Sequence, residues 1–109
     1  MRLYRVTRSN PPTEEDMMSY WDLGKRPARK EDDPRYEGDR AAYEEVSTFV
    51  TAEEAAAKAR ARNLGDYIAE LEVPDETPMS EKRGHRGLIG TTPSQLLGMV
   101  RNVQGVDEG

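Results

Sequence analysis

Ser47-Thr48-Phe49-Val50-Thr51-Ala52-Glu53-Glu54-Ala55 decides the fold of this chain, because a run of β-forming residues ends there at a threonine able to cap a helix. Val46, Thr48 and Val50 alternate with Ser47 and Phe49, the two-residue period of a strand, which is expected over residues 45–51. Thr51 and Glu54 match a capping box, in which the threonine oxygen takes the amide of the third helical residue and the glutamate reaches back. The helix that follows runs to Arg62 and carries Ala52, Ala55, Ala56 and Ala59 along one side, small enough to lie close on a sheet. Asn63-Leu64-Gly65 ends it. Gly65-Asp66-Tyr67-Ile68-Ala69-Glu70-Leu71-Glu72-Val73-Pro74 then alternates as a further strand. Tyr67, Ala69, Leu71 and Val73 point to a core, Ile68, Glu70 and Glu72 point toward water, and Pro74 is the stop.

Toward the N-terminus, Leu3 to Thr7 reads as an opening strand, with Tyr4 and Val6 on one face and Leu3, Arg5 and Thr7 on the other. After Asn10-Pro11-Pro12, Thr13 stands before Glu14-Glu15-Asp16, and the spacing of Met17, Met18, Tyr20 and Trp21 predicts a short helix ending at Gly24. Between Lys25 and Glu44, twelve of twenty residues are charged, with Pro27, Pro34 and Gly38 among them. So little can be buried there that a long surface loop is expected over 25–44, with a helical turn at most over 40–44.

Toward the C-terminus, residues 75–91 read as a second polar loop. Thr92-Pro93-Ser94-Gln95 is another capping box, with proline at the first helical position, where its missing amide costs nothing. Leu96, Leu97 and Val100 give that helix its buried side; Val103 and Val106 suggest a closing strand before a frayed tail, Asp107-Glu108-Gly109. The expectation is an α+β fold, a single domain over residues 1–109, with a small mixed or antiparallel sheet and about three short helices.

Composition narrows function. Hydrophobic residues are 35% of the chain and charged residues 34%, so a thin core carries a heavily charged surface, and a homodimer would supply further burial. A net charge of -5 argues against non-specific binding to nucleic acid, whose phosphates are met by Lys and Arg. No cysteine and one histidine, His85, exclude disulfides, thiolate metal sites and multi-histidine metal sites. Nothing approaches a membrane-spanning apolar run, and a soluble cytoplasmic protein is the expectation.

Three stretches carry a family resemblance: Leu3-Tyr4-Arg5, Ser47-Thr48 with its alanine-rich helix, and Ile68-Ala69-Glu70-Leu71-Glu72-Val73-Pro74. In that order they resemble the core of the ADP-ribosyltransferases. The resemblance implies a scaffold on which Arg5 meets the diphosphate of NAD, Ser47 bonds its nicotinamide amide or orients the acid, and that acid steadies the oxocarbenium-like transition state. The family places that acid on a later strand, but residues 84–106 contain no Asp or Glu. Gln95 and Gln104 carry no charge to replace it, so Glu72 would have to serve, one strand too early. Read as residues alone, Arg5 is a strand residue paired with Glu70 or Glu72, and Ser47 and Thr48 are strand positions before a cap.

Lys82-Arg83-Gly84-His85-Arg86-Gly87 is the other constellation, with three permanent cations, the histidine and two glycines. Arg83, His85 and Arg86 there would form an exposed, mobile anion-binding element, or equally a solvated turn. The favoured expectation is a non-catalytic interaction module on an ADP-ribosyltransferase-like scaffold, binding a protein partner, or alternatively a nucleotide, through its polar loops without a cofactor. The alternatives are a minimal NAD-dependent transferase with Arg5, Ser47 and Glu72 as its triad, and a small structural or regulatory protein without a ligand site.

Overall fold

The structure, a computed structural model, describes residues 1–108. In chain order the strands are β1 (Arg2–Thr7), β2 (Val46–Phe49), β3 (Tyr67–Glu72), β4 (Met79–Lys82), β5 (His85–Leu88) and β6 (Val100–Gly105). The helices are α1 (Tyr36–Glu44), α2 (Ala52–Arg62) and α3 (Pro93–Met99), with short 3-10 turns at Glu15–Met17 and Val106–Glu108. All six strands form one sheet in the order β4-β5-β2-β1-β3-β6, and every neighbouring pair is antiparallel. The fold is α+β, as the residue patterns indicate. Among the described residues, no helix is long and apolar enough to cross a membrane.

Strand alternation divides the core into two. Leu3 pairs with Leu71, Arg5 with Ala69 and Val46 with Leu88, so these side chains share one sheet face. There Leu3, Val46, Leu71 and Leu88 pack with Met17, Val73 and with Leu96 of α3. On the opposite face Tyr4, Val6, Phe49 and Ile68 meet Ala55, Ala56 and Ala59 of α2. The alanine stripe therefore lies on the sheet as its small side chains allow. Ile68 is only 2% exposed, so the face of β3 expected to be wet is covered by α2 at its centre.

Local signals around α2 hold except for one half of the expected capping box. The Thr51 hydroxyl oxygen accepts the Glu54 amide at 3.1 Å, and Asn63 closes the helix in the left-handed conformation at φ 52°. The return half of the Thr51 box is not made. The Glu54 carboxylate instead fills the space beside Gly84, whose φ of +72° and missing Cβ leave room for it. Gly65 is needed for closeness, since a Cβ there would run into the Thr7 carbonyl of β1. The Thr92 box of α3 is complete in both directions, at 3.2 and 2.9 Å.

Three expectations are corrected. Over residues 13–24 there is no α-helix, only the 3-10 turn and a hydrogen-bonded turn over residues 20–24. The Thr13 amide and hydroxyl donate to Asp16, and the carbonyls of Asp16 and Met18, which a helix would need, accept from the Arg5 guanidinium. A tertiary charge has captured the acceptors of a local pattern. Residues 36–44, read as loop apart from a last turn, form the whole of α1. Its Arg40 lies over the Trp21 ring at 4.8 Å, Tyr43 packs on Tyr20 at 5.6 Å, and the Trp21 amide donates to the Tyr43 carbonyl at 2.9 Å. Residues 25–35 do lie on the surface. Finally, the polar loop over 75–91 contains the hairpin β4–β5, with Arg83-Gly84 at its turn. Of the expected frayed tail, Asp107 accepts from Arg60 at 3.3 Å, beside the Val106 carbonyl, which accepts from the same guanidinium at 2.8 Å, while Gly109 lies outside the described residues.

Replacing Thr51 by alanine removes the cap of the helix that packs on one face of the sheet. Urea unfolding is expected to show a loss of about 1 kcal/mol with an unchanged slope; an unaltered midpoint would mean that α2 does not depend on this cap.

Candidate functional site

β1 and β2 are paired at a single position, Tyr4 with Phe49, and separate beyond it. Arg5 bridges the separation. Its Nη1 donates to the Ser47 carbonyl at 2.7 Å, Nε to the Asp16 carbonyl at 2.8 Å and Nη2 to the Met18 carbonyl at 3.1 Å. Three charged hydrogen bonds offset the cost of taking the guanidinium out of water. Burial still lowers its pKa to about 10, against the opposing pull of Asp16 and Tyr20, so Arg5 remains a cation at neutral pH.

A cleft of about 700 Å³ opens at this separation. One wall comes from α2 and the end of β1, through Lys58, Arg62, Leu64 and Arg8; the other comes from Asp16, Met18, Tyr20 and Leu23. Phe49, Ser47 and His85 reach it from β2 and β5, and Glu45 from the residue before β2. Tyr20 and Leu23, 50% and 41% exposed, leave an apolar rim.

The charges in the cleft are unevenly committed. Glu45 accepts from Ser80 Oγ at 2.9 Å, Asp16 accepts from the Arg8 and Thr13 amides, and Lys25 sits over the Tyr20 ring at 4.9 Å. By contrast, the side chains of Arg8, Lys58 and Arg62 have no ion pair, hydrogen bond or ring contact among the described residues. His85 packs edge-on against Phe49 at 5.6 Å, and its Nδ1 is buried without a hydrogen-bond partner. Desolvation holds its pKa below the ordinary 6.5; Lys82, Lys58 and Arg86 push it the same way, against Glu45.

The residues singled out from the sequence are only partly brought together. Arg5 meets Ser47 through the Ser47 backbone carbonyl, and its three nitrogens are spent on carbonyls rather than offered to a diphosphate. Glu72 does not join them. It pairs with Arg2 at the far end of β1, about 10 Å along the strand from Ala69, the partner of Arg5, and on the other face of the sheet. Its carboxylate instead lies 3.7 Å from the N-terminal ammonium. Of the hairpin trio, His85 lines the cleft and Arg83 is exposed at the turn. Arg86, next to His85 on β5, projects from the opposite face, and its Nη1 donates to the Lys82 and His85 carbonyls at 2.8 Å. These three therefore form no single mobile element. Arg8, Lys58 and Arg62 escaped sequence reasoning; the available signal was the spacing of Lys58 and Arg62, two cations on one helix face.

Two measurements check this geometry. Arg5→Met should destabilise the fold by about 3 kcal/mol, because three carbonyls lose a charged donor; a near-neutral change in urea midpoint would show that Arg5 is not structural. His85 has a folded pKa below its unfolded value, so unfolding takes up protons as the medium is acidified. Stability should be intact above pH 6.5 and fall as pH drops toward the folded value. His85→Asn should flatten that slope in melts across the range, and an identical slope in the variant would contradict the burial of the imidazole.

Compared with protein-family models, with curated proteins and with solved structures, the chain matches none.

Proposed function

We propose that this protein is a non-catalytic interaction module that docks an anionic group of a partner protein in the cleft between β1 and β2. The observation that carries the reading is the uncommitted charge of Arg8, Lys58 and Arg62 around one concavity, in a chain whose net charge is -5. Elsewhere most arginines are engaged: Arg2 with Glu70, Arg29 with Asp39, Arg35 with Asp33, Arg40 with Glu44 and Arg60 with Asp107. An acidic protein concentrates its field at such an exception, and an acidic partner is steered to it. Arg5 contributes by holding the strands apart, and the hairpin contributes His85.

Amide chemical-shift titration with hexaglutamate at low salt tests the reading. The amides of Arg8, Lys58, Arg62 and His85 should move together, and the movement should fade as salt rises to about 0.5 M. Reversing two charges, Lys58→Glu with Arg62→Glu, should abolish it without changing the melting temperature by more than about 2 °C. Shifts scattered over the surface, or untouched by the reversal, would count against the cleft.

A further inference from the structure

Lys58 and Arg62 stand four residues apart on α2, where like charges repel, and no acid lies between them to relieve it. Arg8 adds a third cation to the same cleft from a fixed backbone. Its amide donates to Asp16 Oδ1 at 2.9 Å, and the preceding Thr7 hydroxyl donates to the Ser9 carbonyl at 3.1 Å. Thus all three cations are mounted on ordered elements. Five permanent cations line the cleft, Arg5, Arg8, Lys25, Lys58 and Arg62, against three carboxylates, Glu15, Asp16 and Glu45, an excess of two positive charges. One carboxylate from a partner cannot neutralise that excess, whereas a phosphate ester carries nearly two charges and three acceptor oxygens at neutral pH. The exposed Tyr20 and Leu23 lie on the facing wall, where the residue bearing the ester can lay its apolar part.

We propose that Arg8, Lys58 and Arg62 form a receptor for the phosphate of a phosphorylated side chain on a partner protein, an assignment that rests on the docking role of the cleft. Specificity then comes from charge number: a monoanion of the same shape leaves one cation unmatched inside the cleft. Phosphorylation of the partner would be the event that creates the contact.

The test compares phenyl phosphate with phenyl sulfate, an ester of the same shape with one charge fewer, by amide chemical-shift titration at constant ionic strength and pH 7.5. Phenyl phosphate should bind about tenfold more tightly, and the shifts should centre on Arg8, Lys58 and Arg62. The variant Lys58→Gln with Arg62→Gln should lose the preference while keeping its melting temperature; Arg8→Gln provides the same check should the double variant be destabilised. Equal affinity for the two esters overturns the phosphate assignment and leaves the anionic cleft standing. Inorganic phosphate binding as tightly as phenyl phosphate overturns the side-chain assignment in favour of a small free anion. Absence of shifts with either ester overturns the proposal, and the hexaglutamate titration then decides separately whether the cleft takes any anion.

Discussion

The Arg5 guanidinium is the interaction on which the rest of this structure depends. Strands β1 and β2 are hydrogen-bonded neighbours at only one position, and the cation that spans the gap binds both β2 and the segment folded beneath it. Moving a charge of this size out of water costs several kcal/mol, and each hydrogen bond to a charged donor returns about 1.5–3 kcal/mol, so three of them make the arrangement sustainable. The same bonds compete with a helix over residues 13–24, because they draw on carbonyls that such a helix would use. With that helix undone, Met17 can still enter the core while Met18, Tyr20 and Leu23 turn toward the cleft.

A concavity made this way has walls from opposite sides of the sheet. α2 supplies cations from one side, and the segment held by Arg5 supplies apolar surface from the other. The mixture matters for recognition, since charge steers a partner and apolar contact slows its departure. His85 sits where the two walls approach each other, desolvated and surrounded by cations, so it stays neutral near pH 7 and leaves the permanent charges to define the field. The glycines around it have packing roles. Gly84 and Gly87 leave room for the carboxylates of Glu54 and Glu45, which brings α2 and the start of β2 against the hairpin.

Elements whose signal is local were legible. Thr51, the alanines of α2 and the alternation from Tyr67 to Leu71 each specify conformation through neighbours within a turn or two. The Thr92-Pro93-Ser94-Gln95 box likewise starts α3 where its residues indicate. Elements whose signal is distant were not. α1 looks like solvated chain because its stabilisation comes from Trp21, held between Arg26 at 3.6 Å and Arg40, a contact across roughly one-fifth of the sequence. The hairpin β4–β5 was hidden because its strands are short and polar, and β5 owes its place to pairing with β2.

The site divides along the same line. That Arg5 lies on a strand, that Ser47 belongs to another and that Lys58 and Arg62 share a helix face are all properties of the chain taken by itself, set by the periods of strand and helix. Sheet order belongs to the tertiary structure alone, because strand pairing joins segments tens of residues apart and no local pattern encodes which edges meet. The register of β3 on β1 puts Glu72 on the face away from Arg5. The tertiary structure also gathers Arg8, Lys58 and Arg62 at one cleft. Local sequence determined the pieces, through backbone sterics and short-range hydrogen bonds; burial of the two core faces and of one guanidinium decided how they were assembled.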